Sequence, residues 1–331
     1  MEKQKKAVYE ILSQLIEPKL KWTIGALNLV KRLEINDQIL ELEIQLITDD
    51  VELINQFREQ VFQVLIEFQF PEINLNISKA NIAKQGLKKV NKIIMVSSGK
   101  GGVGKSSISV NLAAMLKSRG HTVGLLDADI YGPSVPILMG ITEKPQVLDD
   151  EVLAPIMAHG IATISIGNLV PPGQAISWRG QLVSGTIIQF IRKVNWGVLD
   201  YLIIDMPPGT GDIQLTIAHE LKITGVIMVS MPQEVVIGDV QRSISLYREK
   251  KVNLIGVVQN MVSYACEKCG HQQQIFPGSL NKITDVPDLG SLILDTDFCE
   301  AGNIGIPFVL SRSSGEIFES FQGMAEKLEL L

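Results

Sequence analysis

The stretch 97–107, SSGKGGVGKSS, limits what this chain can fold into more than any other part of it. The apolar run KIIMVS (92–97) leads into it. Ile108, Leu112, Met115 and Leu116 follow at helical spacing, and Gly120 closes that helix. A strand, a glycine loop and a helix form the setting of a phosphate site, because loop amides and a helix N-terminus attract anions. Two patterns fit the loop. Gly99, Gly101 and Gly104 satisfy the dinucleotide fingerprint G-x-G-x-x-G, and Gly99 to Ser106 satisfies the P-loop G-x-x-x-x-G-K-[ST].

Three features decide for the P-loop. Lys105-Ser106 follows the last glycine, supplying a cation for β/γ-phosphates and a hydroxyl for Mg²⁺. DYLIID (200–205) ends in Asp205, which suits the acid that supports such a metal. PPGTGD (207–212) follows at once, a turn able to move when a γ-phosphate leaves. The expected nucleotide cradle is Gly99, Lys100, Gly101, Gly102, Val103, Gly104, Lys105, Ser106 and Ser107, with Asp205.

Downstream of the loop, TVGLLD, DYLIID, GVIMVS and LIGVVQN are near-continuous apolar strands separated by helical stretches. This alternation predicts a parallel sheet with helices on both faces. Residues 1–78 differ. Val8, Ile11, Leu12 and Leu15 share a helical face. Leu40, Leu42, Ile44 and Leu46 alternate as in a half-buried strand, with Asn36-Asp37 as a hairpin turn before them. Leu53, Ile54, Phe57, Val61 and Leu65 return to helical spacing, and Ile73, Leu75 and Ile77 alternate again. The expected organisation is a small α+β domain (1–78), a basic linker (79–91) and a P-loop NTPase domain (92–331). Across 79–92 the lysines Lys79, Lys84, Lys88, Lys89 and Lys92 stand without an acid.

A formal charge of −6 over 331 residues argues against nucleic acid as main partner. No apolar run reaches the roughly 18 residues of a membrane span, and the first helix is amphipathic rather than a signal peptide. The expected compartment is the cytoplasm. Three cysteines, Cys266, Cys269 and Cys299, do not make a disulfide framework. Cys266 and Cys269 form C-x-x-C. From spacing alone zinc, with His271 as a third ligand, ranks level with iron–sulfur, and a redox dithiol is also open. Cys299 is expected as a buried free thiol.

The second lysine of the loop, Lys100, exceeds what local phosphate binding requires. KGGVGKS resembles the deviant Walker A loop, whose members form ATP sandwich dimers, and LLDADIYGPS (125–134) resembles that family's first switch. The resemblance implies that Lys100 reaches the partner's nucleotide, that Asp129 positions the attacking water and that Asp127 lies close to the Mg²⁺ shell. ISWRGQLV (176–183), LDYLIIDMPPGTGDIQLT (199–216), VSMPQEVVIGD (229–239) and GVVQNMVSYACEKCG (256–270) then appear in order, and over residues 90–312 the chain resembles the Mrp/ApbC family of iron–sulfur cluster carrier ATPases. That resemblance implies slow ATP hydrolysis, Asn260 at the adenine, and a [4Fe–4S] cluster held by Cys266 and Cys269 of two subunits. It also implies delivery to apoproteins, with assembly scaffold proteins as further partners. The rival reading is a partition or positioning ATPase with a structural zinc or redox C-x-x-C. Its discriminator is the C-terminal helix, where Ile317, Phe318, Phe321, Met324, Ala325 and Leu328 form an apolar face backed by Glu316, Glu319, Glu326 and Glu329. An anionic membrane would repel such a helix.

Overall fold

The computed structural model describes residues 2–331 apart from 20–22, 26–28, 37, 49, 80–86, 149–151, 169–179, 210, 267, 279–282 and 284. The first sheet has three strands, Val30–Asn36, Ile39–Leu46 and Glu72–Lys79, in that order. The first pair is antiparallel and the second parallel. Helices Glu2–Ser13 and Val51–Leu65 pack against each other. In the central strand Leu40, Leu42, Ile44 and Leu46 are buried while the alternate residues are half-exposed, as the period-2 pattern requires. The hairpin turn is displaced by one residue from its expected place. Asn36 still pairs with Ile39, and Gln38 takes the positive φ of 68° that closes so short a loop. Asp50 caps the second helix by accepting from the amides of Glu52 and Leu53.

The expected linker lies mostly outside the described residues. Its two ends belong to strands, since the first sheet runs to Lys79 and the next strand begins at Val90. The second sheet has eight strands. Their spatial order is Asp288–Ser291, Leu254–Gln259, Gly225–Ser230, Val90–Ser98, Leu199–Asp205, Val123–Asp127, Ile161–Ser165 and Ile156–Ala158. All neighbours are parallel except the last pair. The sheet is therefore mixed at one edge rather than wholly parallel, because the tight turn at His159-Gly160, both at positive φ, permits an antiparallel return.

The strand order places the P-loop strand Val90–Ser98 between Gly225–Ser230 and Leu199–Asp205. Chain connectivity leaves Val90–Ser98 for Val123–Asp127 on one side and crosses to Gly225–Ser230 on the other, so the carboxyl ends open a crevice at this strand. The helix Lys105–Ser118 fills the sheet face beneath it and is buried over most of its length. Gly120, at φ 96°, ends it as expected. The C-terminal helix Glu316–Glu329 buries Ile317, Phe321, Met324, Ala325 and Leu328 against that helix and the strand Asp288–Ser291. Its apolar face is thus core, not a membrane-facing surface. Among the described residues no helix is long and apolar enough to cross a membrane.

Candidate nucleotide site and cysteine hairpin

The phosphate loop is shaped by glycines with distinct duties. Gly102 and Gly104 sit at φ 81° and 85°, where side chains with a Cβ are strained. Gly99 has an ordinary backbone but no space, since a Cβ there would stand 2.7 Å from that of Asp239 and 2.9 Å from the amide nitrogen of Val240. The helix Glu234–Glu249 therefore presses directly on the loop. Gly104 precedes Lys105 at the helix start, leaving the first helical amides facing a cleft of about 540 Å³ lined by Lys100, Gly101, Gly102, Lys105, Ser106, Ser107, Asp129 and Tyr131 among others.

The acids predicted for this site converge behind the loop. The Lys105 Nζ lies 2.8 Å from Asp205 Oδ1 and 3.7 Å from Asp129 Oδ2. The Ser106 hydroxyl donates to Asp205 Oδ2 at 2.5 Å, and Ser109 donates to Oδ1 at 2.7 Å. Asp205 is fully buried, so it depends on these donors and on the lysine. Asp127 Oδ1 accepts from the Asp129 amide and Oδ2 from the Ser165 hydroxyl and the Val135 amide. Burial, with Asp205 adding like-charge repulsion, pushes its carboxyl up to about 8. Asp129 Oδ1 accepts from the amides of Tyr131 and Gly132, and burial raises its pKa as well. Strand ends deliver all of this: Asp127 and Asp205 are paired neighbours in register.

Lys100 is turned away from the cleft's acids. Its Nζ pairs with Asp239 Oδ2 at 3.5 Å, and Arg242 binds the other oxygen of that carboxylate. Asn260 is 96% buried, in keeping with its 4% exposure, and both ends of its amide are used within the protein. Nδ2 donates to the Val103 carbonyl at 2.9 Å, and Oδ1 accepts from the Met261 amide at 3.0 Å. Asn260 thus pins the P-loop while also lining a second cavity of about 240 Å³ with Gly104, Ser107, Leu294, Asp295 and Phe298. Cys299 lines the same cavity and is exposed, which corrects the expectation of a buried thiol. It stands on a short helix, Thr296–Asn303, whose buried residue is Ala301.

Beyond Asn260 the chain is laced to the segment before Asp295. The Leu292 amide donates to Gln259, that of Val262 to Leu292, and that of Leu294 to Ser263. A short hairpin follows, Tyr264–Ala265 paired with Gln272–Gln273. Its tip holds the C-x-x-C. The Cys266 amide donates to the His271 carbonyl and the Gly270 amide to the Cys266 carbonyl, with Gly270 at φ 70°. Cys266 is half-buried and Cys269 exposed. His271 is also exposed, and among the described residues no three His, Cys, Asp or Glu side chains are grouped to hold a metal.

Several supporting residues were not singled out in the sequence. Ser109 and Ser165 steady the two acids, Asp239 holds Lys100, and Gln214 reaches back under the PPGTGD turn. Of these only Ser109, one turn beyond Lys105, could have been inferred from helical spacing. The ISWRGQLV segment lies largely outside the described residues, as does Thr210.

Comparison with known proteins bears on the family and the fold. The chain is 37% identical to an iron–sulfur cluster carrier protein of Haemophilus influenzae, covering 98% of this chain and 91% of the other. It is 35% identical to that of Deinococcus radiodurans, covering 97% and 94%. Among solved structures it is similar to a nucleotide-binding protein of Archaeoglobus fulgidus in complex with ADP, at a TM-score of 0.61 and 35% identity over 72% of this chain and 95% of that one. The Pyrococcus furiosus cell division ATPase MinD, 20% identical with a TM-score of 0.56 over 72% of this chain and 99% of its own, shares the fold. A family model described as the NUBPL iron-transfer P-loop NTPase matches residues 89–329, and the chain belongs to that family.

Proposed function

We propose that this chain is an ATP-hydrolysing carrier of iron–sulfur clusters that works as a homodimer in the cytoplasm and passes a labile cluster to apoproteins. One observation carries the reading. The segment that grips the P-loop through Asn260 continues, hydrogen-bonded all the way, into the exposed Cys266–Cys269 hairpin. The names of the relatives support the cargo, and the fold supports the nucleotide.

The residues around Asp205 fit Mg²⁺: a hydroxyl and a buried carboxylate already stand 2.5 Å apart beside the phosphate loop. Ser106 and Asp205 would hold the ion, which supplies neutralising charge to β- and γ-phosphate oxygens. Lys105 exchanges its carboxylate partners for the same phosphates. Asp129, with Oδ1 fixed by two amides, turns Oδ2 toward the cleft to orient water, and Asp127 fixes the backbone of Asp129. Lys100 acts in trans on the partner's nucleotide, which requires it to leave Asp239. Hydrolysis is slow in this scheme, since each chain awaits a second lysine.

Each chain supplies two thiolates and a cubane takes four, so a second copy completes the ligand set. Subunit separation strips half the ligands, as suits a cargo rather than a resident cofactor. The cluster is most simply [4Fe–4S]. Assembly scaffolds and apoproteins are the partners of this reading, with neither nucleic acid nor membrane among them. Residues 1–78 form a separate small domain in it, joined by the basic linker 79–91 to the NTPase domain.

The test is anaerobic reconstitution with iron and sulfide. About four irons per dimer are expected, and almost none in Cys266→Ala or Cys269→Ala. Uptake of zinc without iron, or a strictly monomeric colourless protein under all oxygen-free conditions, refutes the reading.

A further inference from the structure

Three neighbouring strands of the large sheet end in one row. Asp205 is in register with Asp127, and Asp127 with Ser165. The first two are acids of the proposed nucleotide site. The third is a hydroxyl, 1% exposed, that closes the strand Ile161–Ser165.

Asp127 suspends the loop 128–134 at both ends. Its Oδ1 accepts from the Asp129 amide at 3.0 Å, where the loop begins. Its Oδ2 accepts from the Val135 amide at 3.3 Å, where the helix Val135–Leu138 begins. Between these points Asp129 Oδ1 gathers the amides of Tyr131 and Gly132. Asp129, Tyr131, Gly132 and Ser134 of this loop line the phosphate cleft, whereas Asp127 and Ser165 do not. The placing of Asp129 Oδ2 beside Lys105 therefore depends on how the Asp127 carboxyl is turned.

Ser165 sets that turn. Two of the donors to Asp127 are amides at the ends of the loop, and they move when the loop moves. Ser165 belongs to the sheet, and its hydroxyl donates to Asp127 Oδ2 at 2.9 Å. Its Oγ accepts from the Gly167 amide at 3.0 Å, which leaves the hydroxyl proton for the carboxyl. Gly167 also meets the loop from outside. A Cβ there would stand 2.6 Å from Pro133 Cγ and 2.7 Å from Pro133 Cβ, so glycine alone permits this approach. The segment Ser165–Gly167 thus holds the loop twice, by a hydrogen bond through Asp127 and by contact at Pro133.

We propose that Ser165 is a positioning residue for ATP hydrolysis. It fixes the Asp127 carboxyl to the sheet, and through Asp127 it fixes the loop that carries Asp129. It touches no nucleotide and leaves the phosphate loop, Lys105, Ser106 and Asp205 as they are. Its influence falls on turnover and spares binding. This inference rests on the ATP hydrolysis of the proposed function and on the role given there to Asp129.

The experiment measures kcat and KM for ATP by phosphate release at one protein concentration, with dissociation constants of ADP and a non-hydrolysable ATP analogue by calorimetry. The variants are Ser165→Ala and, as a control, Thr163→Val. Thr163 is fully buried on the same strand, and its hydroxyl donates only to the Ile161 carbonyl. The control therefore removes a buried hydroxyl without touching Asp127. The expected result for Ser165→Ala is a fall in kcat of roughly tenfold, the scale of leaving one buried acceptor without its donor. KM and both dissociation constants stay near wild type, and Thr163→Val keeps the wild-type kcat. A Ser165→Ala protein with wild-type kcat overturns the inference. So does one that loses nucleotide affinity as much as kcat, or a Thr163→Val protein that slows equally, since either marks general damage to the strand. A wild-type chain that binds ATP without turning it over overturns the proposed hydrolysis itself, and this inference with it.

Discussion

Replacing Asn260 by alanine separates two roles that the same residue could play. If it served only to contact a base, the nucleotide-free protein would not notice its loss. The structure instead shows a buried amide holding the loop from below, with Nδ2 on the Val103 carbonyl and Oδ1 on the Met261 amide. Two buried hydrogen bonds are worth about 1 kcal/mol each, and stripping the donor from a buried carbonyl adds about 1–3 kcal/mol. Met261 also loses the bond that supports its backbone at φ 56°. The expected cost is therefore roughly 3–5 kcal/mol, a large share of a typical total of about 5–15 kcal/mol. At about 2–4 °C per kcal/mol for a large domain, the nucleotide-free melting temperature should fall by roughly 6–20 °C. Scanning fluorimetry or calorimetry without nucleotide reads this directly. An unchanged melting temperature with weakened ADP binding would refute the clamp and return Asn260 to a purely ligand-binding role.

Gly104→Ala should damage the same contact from the other side, because its Cβ would meet Asn260 Nδ2 at 2.2 Å and its φ is 85°; the expected outcome is loss of nucleotide binding by calorimetry, and retained affinity would contradict the packing. Asp127, ordinarily ionised near 3.8, titrates near 8 in the fold, so the folded state holds an extra proton between those values. Nucleotide-free stability should fall as pH rises through that window. Asp127→Asn should flatten the slope in urea titrations from pH 5 to 9, and an identical slope would refute the assignment. Glu329 is held down to about 2 by hydrogen bonds from Arg119 and then His121. Its contribution is present above the usual 4.5 and lost as pH falls from there toward 2. Glu329→Gln should blunt acid unfolding over that range, measured by circular dichroism, and an unaltered acid limb would show the clasp to be idle.

Single residues show how much of the fold is legible in the sequence. Leu40, Leu42, Ile44 and Leu46 announced a strand because burial on one face forces a period of two, and all four are buried. Lys105 and Ser106 marked a phosphate-loop pattern because such a loop is local and its parts are adjacent in the chain, and the structure sets both beside the cleft. The turn before Ile39 slipped by one residue because turn chemistry names candidates without choosing among neighbours. Cys299 misled because average burial says nothing about one face of one short helix.

The chain order alone thus determined the layered α/β class, the small leading sheet, the phosphate loop and the paired cysteines. Each of these is written in periodicity or in contiguous spacing. The tertiary structure alone decided that Asp239 holds Lys100, that Ser165 and Ser109 steady the acids, that Asn260 clamps the loop, and that Gln214 is left one bond short. Most of these contacts join strand ends and helices far apart in sequence, and no local pattern encodes which distant carboxyl ends the sheet will set side by side. Gln214 is the exception. Its partners are near in sequence, yet whether its amide oxygen finds a donor depends on how the surrounding sheet positions the turn.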